Sequence, residues 1–219
     1  MDRRKFVTLA GIGGVVGAFS TQLLVKLPLI GVQSAQASAA QSDTIKNLQA
    51  AYNGETNAHI RYLAFAQKAD QEGYKQVAIL FRAAASAEAI HAANHGAVLR
   101  DMGATPMAKI ETPTVNTTKA NLEAAITGET YERIKMYPEF IKQAKEADEN
   151  AAIKTFTYAE EAEAEHAKYY SEALANLANW KEAKLGFYVC PECGYTTSSL
   201  DFENCPECET AKALFIKFS

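Results

Sequence analysis

Two short stretches carry the same pair of metal-ligating side chains at helical spacing. "AEAIHA" (87–92) and "AEAEHA" (162–167) align as A-E-A-x-H-A, so Glu88 matches Glu163 and His91 matches His166. Residues three apart share one face of a helix, so each Glu-x-x-His aims an oxygen and a nitrogen at one point. A lone glutamate precedes each motif at nearly the same distance. Glu55 in "YNGET" lies 33 residues before Glu88, and Glu129 in "ITGET" lies 34 before Glu163. Of the other acids in "YAEEAEAEHAKYY", Glu161 and Glu165 match Ser86 and Ile90 of the first copy. They are assigned to solvent. Glu160 matches Ala85 and goes with them, although helical spacing alone would also admit it.

The chemistry follows from burial. A carboxylate in an apolar seam costs several kcal/mol unless it is paired or bound to metal. At least four glutamates fall on apolar stripes here, and no Lys or Arg shares those positions. Four or five carboxylates with two imidazoles suit a pair of iron or manganese ions. Zinc sites favour four ligands and more nitrogen or sulfur. Glu132, three residues after Glu129, faces the same way and stands opposite Ala58 when the halves are aligned. It is the acid that breaks the repeat. His59 and His95 each lie one turn from a candidate ligand, but Arg133 and Tyr170 replace them in the other half. They are expected as hydrogen-bonded histidines rather than ligands.

All four cysteines sit near the C-terminus in "VCPECGYTTSSLDFENCPECE", as two C-x-x-C pairs separated by eleven residues. This spacing matches tetrahedral thiolate ligation of one ion by Cys190, Cys193, Cys205 and Cys208. Zinc and iron both fit the spacing. Phe187, Tyr188, Tyr195, Phe202, Phe215 and Phe218 would supply its small core. A module this small needs its metal to fold.

Four helices must position the bundle ligands. Apolar or small residues recur at steps of three and four on each segment. The stripes run through Leu48, Glu55 and Tyr62; through Phe81, Glu88 and His91; through Leu122, Glu129 and Phe140; and through Phe156, Glu163 and His166. Gly73 and Gly103 are expected helix stops, Thr117 or Thr118 a start, Pro138 a kink or early end, and Asp148 the cap of the last helix. The link over 104–117 can reach ~50 Å when extended, about the length of a bundle helix. The expected fold is an all-α ferritin-like four-helix bundle with one long crossover. The domains are 1–39, 40–180 and 186–219, the last a small metal-binding module.

The apolar content of 48% suffices for a core, and a net charge of −4 argues against nucleic acid as a partner. Residues 1–39 read differently from the rest. Basic "DRRK" precedes an apolar run and the small-residue stretch "SAQASAA", with an A-x-A cleavage pattern near Ala37 or Ala39. Arg3 and Arg4 ahead of Phe6 resemble a twin-arginine export signal, which carries folded proteins. The expected location is the periplasm, or the membrane surface if the segment is retained as an anchor. Without residues 1–39, 18 basic and 25 acidic side chains remain, a net of −7.

Together, "GETNAHIRY", "AEAIHA", "GETYERIKMYPEF", "AEAEHA" and the paired "CPEC" resemble rubrerythrin over residues 43–219. The resemblance implies two irons in the bundle and a β-rich rubredoxin-like domain holding one iron, with zinc the alternative in that site. It implies reduction of hydrogen peroxide to water, with a ferroxidase or iron store, or a zinc-ribbon docking module, as alternatives. One iron would be held by Glu55, Glu88 and either His91 or Glu132, the other by Glu129, Glu163 and His166, with Glu88 and Glu163 bridging. Tyr62 and Tyr137 match tyrosines near the family's site. The family also implies an external electron donor and at least a homodimer, in which one subunit's relay lies near another's di-iron site. The chain departs from the family's pattern in the spacing between its cysteine pairs. Glu209 also stands after the last knuckle, where a glycine is common.

Overall fold

The computed structural model describes residues 30–219, with side chains from Ser38 onward. The twin-arginine pair and the apolar run that follows it lie outside the described residues. Four helical rods form the bundle. They are α1 (Ile30–Gln71), α2 (Lys75–Asp101), a composite third rod, and α5 (Asn150–Ala175). The third rod comprises α3 (Thr118–Tyr131), a π-helical turn (Glu132–Met136) and α4 (Tyr137–Glu146). Among the described residues, no helix is long and apolar enough to cross a membrane.

The ends of the rods follow local chemistry. Gly73 and Gly103 take φ of 79° and 78°, the left-handed conformation that closes α1 and α2. The N–H groups of Tyr74 and Ala104 then reach back to Ala69 and Leu99 carbonyls at 2.8 Å. The Thr117 hydroxyl accepts from the Ala120 N–H and caps α3. Two expectations need correction. Asp148 does not cap α5: it occupies a left-handed turn at φ 55°, and Glu149 is the capping residue, without a side-chain bond. Pro138 does not end the third rod. It falls in the first turn of α4, where a missing N–H is tolerated, and the irregularity is taken up by the π turn just before it.

The crossover runs along α1. Asn53 and Asn57, one turn apart, bond Lys109 and Glu111 backbone groups, and Glu72 receives the Thr118 N–H at 2.8 Å. The link therefore travels the length of the bundle, which lets the third rod begin at the end where α1 finishes.

Two buried apolar clusters fill the interior. One gathers Tyr62, Phe65, Phe81, Leu122 and Tyr170, and the other Leu48, Leu99, Tyr137, Ile141 and Phe156. The tail follows as an antiparallel sheet of β1 (Phe187–Val189), β2 (Thr196–Thr197) and β3 (Ile216–Phe218) in the order β2-β1-β3. Its expected core divides in two. Tyr195, Phe202 and Phe215 pack together through edge-on and tilted contacts, but Phe187 packs on Tyr169 and Trp180 and joins the bundle core.

Glu209 is exposed and held at φ 63°, where a side chain is strained by about 1–2 kcal/mol. Glycine accepts this conformation but loses more entropy on folding. Glu209→Gly is therefore expected to stabilise the metal-loaded tail by about 0.5–1 kcal/mol. Denaturant unfolding followed through the tail chromophore measures it, and a loss of stability would contradict the strain.

Candidate metal centres

The bundle delivers one glutamate or one Glu-x-x-His pair per rod. Glu55 comes from α1, Glu88 and His91 from α2, Glu129 from α3, and Glu163 and His166 from α5. All six are at most 1% exposed. They form two overlapping groups, Glu55/Glu88/His91/Glu163 and Glu88/Glu129/Glu163/His166, each with ligand atoms within 4.8 Å of one another. Glu88 and Glu163 belong to both, so they lie between the two positions. His91 Nδ1 is 2.9 Å from Glu88 and 3.2 Å from Glu163, and His166 Nδ1 is 2.7 Å from Glu163 and 3.2 Å from Glu88.

The remaining polar atoms fix how these groups are presented. The Tyr62 hydroxyl donates to Glu129 Oε1, and the Tyr137 hydroxyl to Glu55 Oε1. Each tyrosine thus serves the lone glutamate of the other half. Oε2 of Glu55 and Glu129, and Oε1 of Glu88 and Glu163, have no hydrogen-bond partner. An unpartnered buried oxygen costs about 1–3 kcal/mol, more for a charged group. Four of them converging with two imidazoles fit a pair of cations better than any arrangement of protons.

Electrostatics agree. Burial, then neighbouring carboxylates, pushes Glu55 and Glu129 well above the carboxylate range. Burial opposes the charge on His91 and His166, but Glu163 and Glu88 outweigh it, raising His91 and taking His166 to about 9. Burial also opposes ionisation of Glu163, yet the two histidines hold it well below the usual range. Glu132 stands beside these groups rather than within either. It opens the π turn, and burial together with Glu163 and Glu88 raises it to about 8.

His59 and His95 stay outside the ligand groups. His59 Nδ1 bonds the Ala85 carbonyl at 2.6 Å at the rim. His95 is fully buried between Tyr137 and Thr155. Burial, and then the charge of His91, lowers it to about 3, so it is neutral. Glu161 is exposed, Glu160 is half-buried, and half-buried Glu165 pairs with Lys168 at 2.8 Å.

The tail cysteines gather as the spacing predicts. All four sulfurs lie within 4.8 Å of one another, with Cys190–Cys208 at 3.4 Å and Cys193–Cys205 at 3.6 Å. These distances are far beyond a disulfide bond, and all four cysteines are free. Hydrogen bonds from Cys193 lower Cys190 to about 5, while burial pushes Cys205 up to about 12. Four thiols competing for negative charge in a small pocket suit one tetrahedral cation.

Sequence reasoning missed the joint between the two centres. His91 Nε2 donates to the Cys193 carbonyl at 3.2 Å. The Thr196 hydroxyl gives its proton to the Gly194 carbonyl, so at 3.0 Å it accepts from His166 Nε2. With Nε2 committed to the tail, Nδ1 is the nitrogen each histidine turns toward the carboxylates, protonated without metal and able to bind one once that proton leaves. Gly194 has φ 80°, and a Cβ there would overlap the His91 ring. The one sequence signal was this glycine directly after a C-x-x-C pair. Within the single chain, the tail meets the site of its own bundle. Gln76 holds the connection in place by binding Lys184 and Leu185 N–H groups and the Leu185 carbonyl.

The raised groups predict a pH dependence. Glu132 and His166 have folded values, about 8 and about 9, above their ordinary 4.5 and 6.5. Stability from holding those protons is full below the ordinary values and is lost as pH rises through the folded ones. The melting temperature of metal-free protein should fall from about pH 5 to about pH 9 and level off above. Iron-loaded protein should show a flatter profile, because metal takes the place of the protons. Calorimetry of both forms measures this, and a rising profile for the metal-free form would contradict it.

Comparison with known proteins agrees with this geometry. The rubrerythrin family model matches residues 46–174. Nigerythrin of Nitratidesulfovibrio vulgaris (strain Hildenborough) is 39% identical over 189 residues, covering 84% of this chain and 91% of its own. Rubrerythrin-2 of Clostridium acetobutylicum is 38% identical over 174 residues, covering 78% and 94%. The solved structure of fully reduced, all-ferrous nigerythrin superimposes with a TM-score of 0.74 at 38% identity, covering 80% of this chain and 86% of that one. The buried carboxylate–histidine cluster is a di-iron site, and the four cysteines form a rubredoxin-like iron site. By its motifs, its bundle and these matches, the chain belongs to the rubrerythrin family.

Proposed function

We propose that the protein is a peroxidase of oxidative-stress defence, reducing hydrogen peroxide to water at the di-iron site with electrons delivered through the four-cysteine iron. The observation that carries this reading is the hydrogen bond from His91 to the Cys193 carbonyl. It joins a ligand of one centre to the backbone of a ligand of the other, so electrons need cross no solvent.

The reaction consumes two electrons and two protons per peroxide and yields two waters. Glu55, Glu88, His91, Glu129, Glu163 and His166 would hold a pair of ferrous ions, which would supply the two electrons and Lewis acidity toward the oxygen–oxygen bond. The protein's own groups do the rest. Glu88 and Glu163 belong to both ligand groups, and each keeps one unpartnered oxygen that would be available to a bound iron. Tyr62 and Tyr137 hold Glu129 and Glu55 in place from behind. Glu132, raised to about 8 and beside the His91 group, would be the carboxylate able to take the place of His91 on a bound iron. The buried setting excludes bulk water, which strengthens each of these interactions.

The tetrathiolate site has no open position and serves as a one-electron relay. Cys208 is its one partly exposed ligand, which suits entry of electrons from an external donor protein. On this reading the chain works after export, with residues 1–39 as a twin-arginine signal that moves the protein already folded and loaded. It associates at least as a homodimer.

Stopped-flow mixing of anaerobically reduced protein with peroxide and with dioxygen tests the reading. Peroxide should oxidise the bundle irons much faster. Faster oxidation by dioxygen would favour a ferroxidase. Cys205→Ser should abolish the tail chromophore and leave the bundle loaded. Its single-turnover oxidation by peroxide should persist, while steady-state turnover with a reductase should fall by on the order of a hundredfold or more. Unchanged steady-state turnover would remove the relay.

A further inference from the structure

Peroxide reduction, on the reading above, draws two protons into a site whose six ligands are at most 1% exposed. A line of hydrogen bonds leaves that site through residues that hold no metal. Tyr137 donates to Glu55 Oε1. Its hydroxyl oxygen lies 3.2 Å from His95 Nε2, and His95 Nδ1 lies 3.0 Å from the Thr155 hydroxyl. The four residues come from four different helices, α1, α4, α2 and α5. Glu55, Tyr137 and His95 are 0% exposed, and Thr155 is 5% exposed. Thr155 lines an open cleft of about 180 Å³ with Asn94, Lys154, Tyr158 and Glu192.

The bonds have one direction. The only Tyr137 proton is committed to Glu55, so the Tyr137 oxygen accepts from His95 Nε2–H. A neutral imidazole with its proton on Nε2 has a bare Nδ1, which accepts the Thr155 proton. The Thr155 hydroxyl is not tied to its own helix, as those of three other helical threonines are. Thr44, Thr56 and Thr127 donate to the carbonyl four residues back, the ordinary habit of threonine in a helix. Thr155 turns its hydroxyl to His95 instead. Every donor from the cleft inward therefore points at Glu55.

We propose that Thr155, His95 and Tyr137 form a proton relay carrying protons from this cleft to Glu55. A proton from cleft water joins the Thr155 oxygen as the Thr155 proton passes to His95 Nδ1. The His95 Nε2 proton passes to the Tyr137 oxygen, and the Tyr137 proton passes to Glu55. One proton enters and one arrives, and none of the three relay groups keeps a charge. The hydroxyls then reorient, and His95 must return from the Nδ1–H to the Nε2–H tautomer before a second proton can pass. His95 and Thr155 act through Tyr137 and are positioning residues.

The test uses the full-length chain and Thr155→Val, which removes the outermost donor with little change of volume. With iron loaded and the protein reduced, single-turnover oxidation by hydrogen peroxide is followed in H2O and in D2O. Thr155→Val should retain its iron, react on the order of tenfold more slowly, and show an altered solvent isotope effect. Thr155→Ser, which restores a hydroxyl, should recover the rate. In zinc-loaded protein, nitrogen NMR should find His95 with its proton on Nε2. Exchange of that ring proton with D2O should be slower in Thr155→Val than in wild type. A His95 proton on Nδ1, equal exchange in both proteins, or an unchanged rate and isotope effect in Thr155→Val would overturn the relay. A wild type that does not react with peroxide would instead overturn the proposed function, and the zinc-loaded measurements would still decide the relay.

Discussion

Charge buried without a lysine or arginine partner is the constraint on which this molecule is built. Four glutamates and two histidines occupy the interior, and among the described residues none has an ion pair to lysine or arginine. Desolvating each ion costs several kcal/mol even after relaxation. Without metal, the protein must share protons among these groups, which is why Glu55, Glu129 and both histidines are raised while Glu163 is lowered. Two cations dissolve the conflict. The apolar clusters containing Phe81 and Phe156 complete the site by keeping water from competing for those cations.

The internal repeat explains most of the geometry, and its one fault is informative. In the first half Tyr62 follows Glu55 by seven residues, and in the second Tyr137 follows Glu129 by eight. Both tyrosines nevertheless reach equivalent glutamates across the bundle. The extra residue is absorbed by the π turn Glu132–Met136. A π turn is a one-residue insertion into a helix and is frequent at functional sites. Here it begins at Glu132, the acid that has no partner in the first half. Broken symmetry and irregular backbone are thus two views of one insertion, which gives one of two otherwise matched metal positions an additional carboxylate.

Much of this was legible in the sequence because burial and ligation obey periodicity. Glu88, His91, Glu163 and His166 could be placed on one face by counting, and the C-x-x-C pairs announced a tetrahedral site. The π turn was not legible. Pro138 suggested a break, and nothing local says that a helix will gain a residue and continue. Asp148 was misjudged for a similar reason, since an acid before a helix can cap it or can sit in the turn that precedes it. Phe187 was assigned to the tail because it is near the cysteines in sequence, yet its ring found a larger apolar surface on Tyr169 and Trp180. Contacts between modules depend on shape, and sequence spacing carries little of that.

The contact between the modules also shows how a small domain can control a larger one. Each imidazole must choose which nitrogen holds its proton, and that choice decides whether the other can bind metal. In this chain the choice is imposed from outside the bundle, by the Cys193 carbonyl on His91 and the Thr196 oxygen on His166. Gly194 lies between those two residues, and its missing side chain lets the knuckle approach the ring. The cysteine knuckle therefore does more than house a metal. The Cys193 carbonyl and the Thr196 hydroxyl turn the two histidines toward the di-iron site, so the fold of one centre sets the ligand geometry of the other. A tail that failed to close around its own metal would leave both imidazoles free to take the other tautomer.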